Sequence, residues 1–412
     1  MRPSKRIILG ATLLTQLGAV GLQAQAQARQ APKFEVDPMW PKPLPNHWIL
    51  GSAVGVAVDS RDHVFVVHLT NSFNTRTEVG AAQNPPSGEC CVPAPTVLEF
   101  DPDGNLVKHW GGPADGYTWP TSNHGIAVDT KGNIWIGGAG PTDSHLLKFS
   151  RDGKFLLQAG KTGVAAAQAS TASVAGDTAN AGRGRAGRGG GRGAGPAPLP
   201  PNNGSTDSFG GPADIAFDTN GTDAYVADGL RNRRVAVIDA NTGAIKRVFG
   251  GHGNKPDDAG NNPAQQFGTP VRCAEPSRDG MIYVCDRSNN RIQVFRKNGT
   301  FVKEKVIAPN TKGAGSVWDI TFSRDPQQRF MYVADGQNMK VYILDRQSLD
   351  VITEFGDGGR QPGRFYAVHS IATDSKGNIY TVETFEGKRL QKFNYKGLVP
   401  ATAKMSVWPG AR

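Results

Sequence analysis

The chain has few cysteines, few aromatics and no unbroken apolar run long enough to cross a membrane, and each shortage removes a class of protein. Four cysteines in 412 residues are too few for a disulfide-rich scaffold, so an apolar core must hold the fold. The only extended apolar stretch, residues 7–22, is interrupted by Thr15, Gln16 and several glycines, which argues against a retained membrane anchor. An arginine-rich stretch, GRGRAGRGGGRG, contains Arg183, Arg185, Arg188 and Arg192 but no interleaved aromatic, so it reads as a solvated tether and no nucleic-acid partner is expected.

What the chain does have is a repeat. Residues 269–304, TPVRCAEPSRDGMIYVCDRSNNRIQVFRKNGTFVKE, read as four short strands separated by polar turns, an antiparallel meander. Aligning the Asp-Gly and Gly-Asn turns recovers the same unit elsewhere: VGVAVDSRDHVFVVHL with TVLEFDPDGNLVKHWGG, HGIAVDTKGNIWIGG with LLKFSRDGKFLLQAG, and PADIAFDTNGTDAYVADG with RVAVIDANTGAIKRVFGG. Two more follow, VWDITFSRDPQQRFMYVADG with KVYILDRQSLDVITEFG and VHSIATDSKGNIYTVE with RLQKFNYKG. A four-stranded sheet cannot bury both faces alone. Six in succession are expected to pack radially, as an all-β, six-bladed β-propeller around a central channel. The 38% hydrophobic content and 52 glycines suit such a core and its many turns.

Departures from the repeat set the domain plan. Residues 1–28 carry a basic lead, the apolar stretch and small residues around Ala24, Ala26 and Ala28, the pattern of a cleaved signal peptide, so a periplasmic or secreted protein is expected. Removing Arg2, Lys5 and Arg6 takes the formal charge from +10 to +7, basic but ordinary for this size. Residues 29–160 hold an N-terminal strand and blades one and two. Residues 161–207, rich in Ala, Gly, Arg and Pro, are expected to be a disordered insertion, and residues 208–412 hold blades three to six and a tail. Residues 33–37 are expected to add a strand to the last blade and close the ring. The first of the two insertions in chain order, residues 70–95, contains NPPSGECCVPAP and is read as a rigid loop over one mouth; residues 161–207 are the second.

The cysteines fall in two pairs. Cys273 and Cys285 sit nearly opposite on adjacent strands of blade four, where a cross-strand disulfide is possible in an exported protein. Cys90 and Cys91 are neighbours in sequence, open to a vicinal disulfide or a thiol pair, and poor metal ligands because adjacent side chains diverge.

The repeat register also picks out side chains that share a position at the start of each inner strand: Val54, His124, Ala213, Arg272, Trp318 and His369. Blades two, four and six place His124, Arg272 and His369 together on the axis. Three imidazoles there would make an open zinc site. An arginine among them opposes a metal, since at about 4 Å and a dielectric near 20 a like-charge pair costs about 4 kcal/mol and a dication doubles it. The ring therefore favours an anion, held by Arg272, His124 and His369. A second column, at the ends of the second strands, contains His68, Gly138, Asp228, Asp286, Asp335 and Glu383. Acidic groups followed by a turn are expected to fix backbone amides, with Glu383 and His68 the two to watch.

The units IATDSKGNIYTVE and MIYVCDRSNNRIQVF resemble the NHL repeat across almost all of the chain after residue 28. Together with NHGIAVDTKGNIWI and AVHSIATDSKGNIY, they look like the six-bladed peptidyl-α-hydroxyglycine α-amidating lyases and their bacterial relatives. The resemblance implies cleavage of a peptidyl hydroxyglycine to a peptide amide and glyoxylate, with zinc on three histidines. Two of these correspond to His124 and His369, the third to Arg272. The family's tyrosine corresponds to Leu230, its substrate-binding arginine to Leu69, and a carboxylate that helps hold a structural calcium to Ser370. With four functional positions changed, the expectation is a degenerate site that binds an anionic small molecule or peptide at the channel mouth. The alternative is an active, metal-dependent lyase-like enzyme. A third reading, a calcium-dependent lactonase-like hydrolase, requires channel carboxylates, for which Glu383 is the sequence candidate.

Overall fold

The structure, a computed structural model, describes residues 29–162, 197–258 and 263–410. The expected signal peptide at 1–28 and the arginine-glycine run lie outside the described residues. Six antiparallel four-stranded units follow one another, beginning with Ser52–Val58, Val64–Leu69, Val97–Phe100 and Leu106–Trp110 in blade one. The inner strands of the other five are Asn123–Val128, Pro212–Phe217, Val271–Pro276, Asp319–Phe322 and Val368–Thr373. Apart from short 3-10 turns, the described residues contain no helix.

The repeated turn explains why each unit folds as a hairpin. In DTKGN, the Asp129 carboxylate accepts the backbone N–H groups of Lys131 and Asn133, both at 2.9 Å, and the Asn133 side-chain amide at 2.9 Å. In DSKGN, Asp374 does the same for Lys376, Asn378 and the Asn378 side chain. The glycine between them, Gly132 or Gly377, takes φ of +79° or +83°, which a side chain would resist. The aspartate thus satisfies turn amides that no strand reaches.

Apolar residues on both faces of each unit meet the next unit, so the core is distributed as six wedges between neighbouring blades. Closure uses the other end of the chain. Gln30–Asp37 pairs antiparallel with Arg389–Pro400 as the outer strand of blade six, starting three residues before the stretch read from the sequence. Phe34 from this strand is buried against Tyr332 and Phe355 of blade five. Truncating such a ring costs roughly 3–5 kcal/mol. Lys404–Met405 adds a parallel fifth strand to blade five, which the repeat pattern did not indicate.

Part of the second insertion is built into the fold. Residues 197–207 were assigned by composition to a disordered segment, but they pack on blade three. Buried Arg234 donates to the carbonyls of Asn203 and Ser205 at 2.7 and 2.6 Å, and Asn203 Oδ1 accepts the N–H of Arg233 at 2.7 Å. Backbone carbonyls of this segment satisfy a buried guanidinium, which composition alone conceals. The first insertion is tethered by Trp48–Ile49 pairing with Val92–Pro93 and by Lys388 to Glu78 at 2.6 Å. Within it, Cys90 and Cys91 are joined as a disulfide.

Candidate functional site: an axial channel in two layers

Every inner strand except that of blade five changes register at the same place. The shift falls between Ala53 and Gly55, His124 and Ile126, Pro212 and Asp214, Val271 and Ala274, and Val368 and Ser370. Such a bulge inserts an extra residue and re-aims side chains. Gly125, at φ +61°, sits in it where a Cβ would lie 2.7 Å from the Ala213 carbonyl. That close approach lets the inner strands of blades two and three converge on the axis.

The upper layer brings together the three residues expected at the hub. Arg272 places Nη1 2.7 Å from His124 Nε2 and Nη2 2.6 Å from His369 Nε2, and the two imidazoles lie 5.0 Å apart. All three side chains are buried. The His124 Nδ1 lies 2.6 Å from the Ala213 carbonyl, which only accepts, so Nδ1 carries the proton and Nε2 accepts from the guanidinium. Trp318 packs its edge on His369 at 5.8 Å and lies under the Arg287 guanidinium at 4.5 Å.

This donor set does not fit the zinc that the resemblance implied. A zinc ligand must offer a nitrogen lone pair, and at both histidines the Nε2 lone pair is directed at Arg272. The guanidinium stands where a dication would be. Of the other positions the resemblance marked, Leu230 is buried against Gly211, and Leu69 pairs with Ser52. Cys273, next to the hub arginine in sequence, is joined to Cys285 as a disulfide.

The lower layer corrects the expectation that Glu383 is the channel's one carboxylate. Asp214, Glu275 and Asp319 present carboxylate oxygens all within 4.8 Å of one another, at the floor of a cup of about 650 Å³ that opens at the opposite mouth. The hub residues Arg272, His124 and His369 do not line this cup; the carboxyl groups do. Asp319 is fixed by the backbone N–H groups of Ile320 and Ile371 at 2.8 and 2.9 Å and by the Ser370 hydroxyl. Burial is the largest cause holding Asp214 well above the usual carboxylate range, and the Asp319 charge adds to it. Glu275 is likewise raised by burial, then by Asp214 and Asp319. Burial pushes Asp319 up to about 6, against the hydrogen bonds that favour its ionised form. Arg272 offsets only part of this for the two aspartates.

Simple alternation hid these groups. If His369 faces the axis, a regular strand turns Ser370 away, and the same logic turns Asp214 away from Ala213. In blades three and four a register shift puts Asp214 and Glu275 out of step with Ala213 and Arg272, while Asp319 opens a strand that has no such shift.

The second-strand column does what was expected of its acids. Asp228 accepts the Gly210 N–H at 2.6 Å and Arg234 Nε at 2.7 Å; Asp286 accepts the Gly268 N–H at 2.8 Å and Arg291 Nε at 2.6 Å. Glu383 belongs with them, bound to the Tyr366 N–H, Arg389 and Gln391 at 2.9, 2.9 and 2.7 Å. His68 accepts the Gly51 N–H at Nδ1 and donates from Nε2 to the Pro95 carbonyl. Burial pushes its pKa down to about 4, so it is a neutral structural link.

No protein-family model and no curated protein matches the chain. Among solved structures, it is similar to a catalytically inactive virginiamycin B lyase from Staphylococcus aureus with quinupristin, at 13% identity, 89% coverage of this chain, 88% of that one and a TM-score of 0.46. A streptogramin B lyase structure is similar at 12% identity, covering 89% of this chain and 98% of that one, with a TM-score of 0.45. These likenesses are of overall shape.

Proposed function

We propose that this chain is an exported ligand-binding propeller, related in plan to lyases of the NHL-repeat type but with a hub closed by arginine. Its wide mouth receives a small molecule through a protonated amine. The observation that carries this reading is the convergence of Asp214, Glu275 and Asp319 at the floor of the cup. An ammonium offers three N–H donors to three acceptors. It also suffers half the repulsion from Arg272 that a dication would, a difference on the order of 3 kcal/mol at about 6 Å and a dielectric near 20. We prefer this to the anion expected at Arg272, His124 and His369 because both Nη groups of Arg272 point at the imidazoles and acids form the cup floor. Export is supported by the N-terminal pattern and by two disulfides.

Calorimetric titration with n-propylamine, acetate, calcium and zinc tests this reading. It expects the amine to bind at pH 7.5 and to lose binding in Glu275→Gln. Acetate binding that disappears in Arg272→Ala would restore the anion reading. One zinc or calcium bound per chain, carried through purification without added metal, would replace it with the metal-dependent alternative.

A further inference from the structure

The cup has a second pole. Arg324 follows the inner strand of blade five and lines the cup wall. Arg324 is exposed as a whole residue, and the protein packed around its guanidinium, with Arg278 beside it, lowers its pKa. It donates to the Thr373 carbonyl, and among the described residues it joins no ion pair. The other cations of the cup are committed: Arg61 to Asp59 at 3.6 Å, Arg151 to both Asp59 and Glu99, and Lys131 Nζ to Asn241 at 2.7 Å. Arg278 reinforces the positive pole, its Nη1 donating to the Asp325 carbonyl at 3.1 Å. Arg324 and Glu275 feel each other's charge yet lie beyond the 4.0 Å of an ion pair. Asp374 and Asp62 also act on Arg324, and both Arg324 and Glu275 face the cup, so a molecule charged oppositely at its two ends can meet both.

We infer that the cup is built for a zwitterion, an amino acid or an ω-amino acid, whose ammonium meets Asp214, Glu275 and Asp319 while its carboxylate meets Arg324. This rests on the amine reading above and adds the class of molecule. A guanidinium suits a carboxylate because its planar N–H groups match two oxygens. Opposed poles also favour a zwitterion over simple amines and simple acids, each of which leaves one pole unmet.

The test compares each ω-amino acid from glycine to 6-aminohexanoate with the alkylamine of the same chain length lacking the carboxylate. Binding is measured by calorimetry on the intact chain, on Arg324→Gln and on Arg324→Lys. At least one amino acid should bind about tenfold or more tightly than its matched amine, the scale of one charge-assisted contact. Arg324→Gln should reduce it to the amine's affinity, and Arg324→Lys should keep part of the gain. Equal binding of every amino acid and its amine in the unmodified chain, or a gain that survives Arg324→Gln, overturns the zwitterion while leaving the amine site standing. Failure of amines and amino acids alike overturns both.

Discussion

Buried acids occur in two settings in this propeller. Asp228, Asp286 and Glu383, at the ends of second strands, each hold an arginine Nε and a backbone amide. Asp214, Glu275 and Asp319, on inner strands, converge on one another. Burial raises Asp286 and Glu383 too, but the next cause at each is an arginine that lowers it. At Asp214 the next cause is another carboxylate that raises it further, and at Glu275 two carboxylates do so. The same residue type is structural where its charge is met by the fold, and poised for a ligand where its charge is met by its own kind.

Substitutions that separate the two settings sharpen this contrast. The largest effect is expected from Asp228→Ala, which strands the fully buried Arg234 guanidinium and should cost about 3–5 kcal/mol in urea unfolding. Arg272→Met comes next. It removes the cation from between two imidazoles and beside two acids, with an expected loss of about 2–4 kcal/mol by the same measurement. Asp319→Asn should act in the opposite direction. Because folding raises the Asp319 pKa from 3.8 to about 6, its contribution to stability is whole below pH 3.8 and is lost as pH rises through about 6. Replacing it should therefore stabilise the chain by about 1–3 kcal/mol at pH 7.5 and remove that part of the decline between pH 4 and 7. A destabilising Asp319→Asn at neutral pH would place this residue with Asp228 and break the distinction. Glu275→Gln should change stability in the same sense as Asp319→Asn and by less, about 1 kcal/mol, since its side chain is partly open to the cup.

Much of the molecule was legible before any coordinates. The aspartate-glycine-asparagine turns carry their own hydrogen bonds and mark several of the hairpins, and six repeated units leave few ways to bury both faces of each sheet. Register then brought His124, Arg272 and His369 to one point on the axis. The carboxyl floor was not legible, because register shifts in blades three and four break the period of two on which the faces of Asp214 and Glu275 would be assigned, and Asp319 is the first residue of its strand. Residues 197–207 were hidden for another reason: their role is to offer backbone carbonyls to Arg234, and carbonyls leave no mark in composition.

The central claim, that the channel acids await a positive group, is tested most directly by the pH dependence of amine binding. If n-propylamine binds where protons now sit, its affinity should rise severalfold from pH 5 to pH 7.5, with protons released to the buffer on binding at pH 6. Affinity that is flat across this range, with no proton release, would contradict the account.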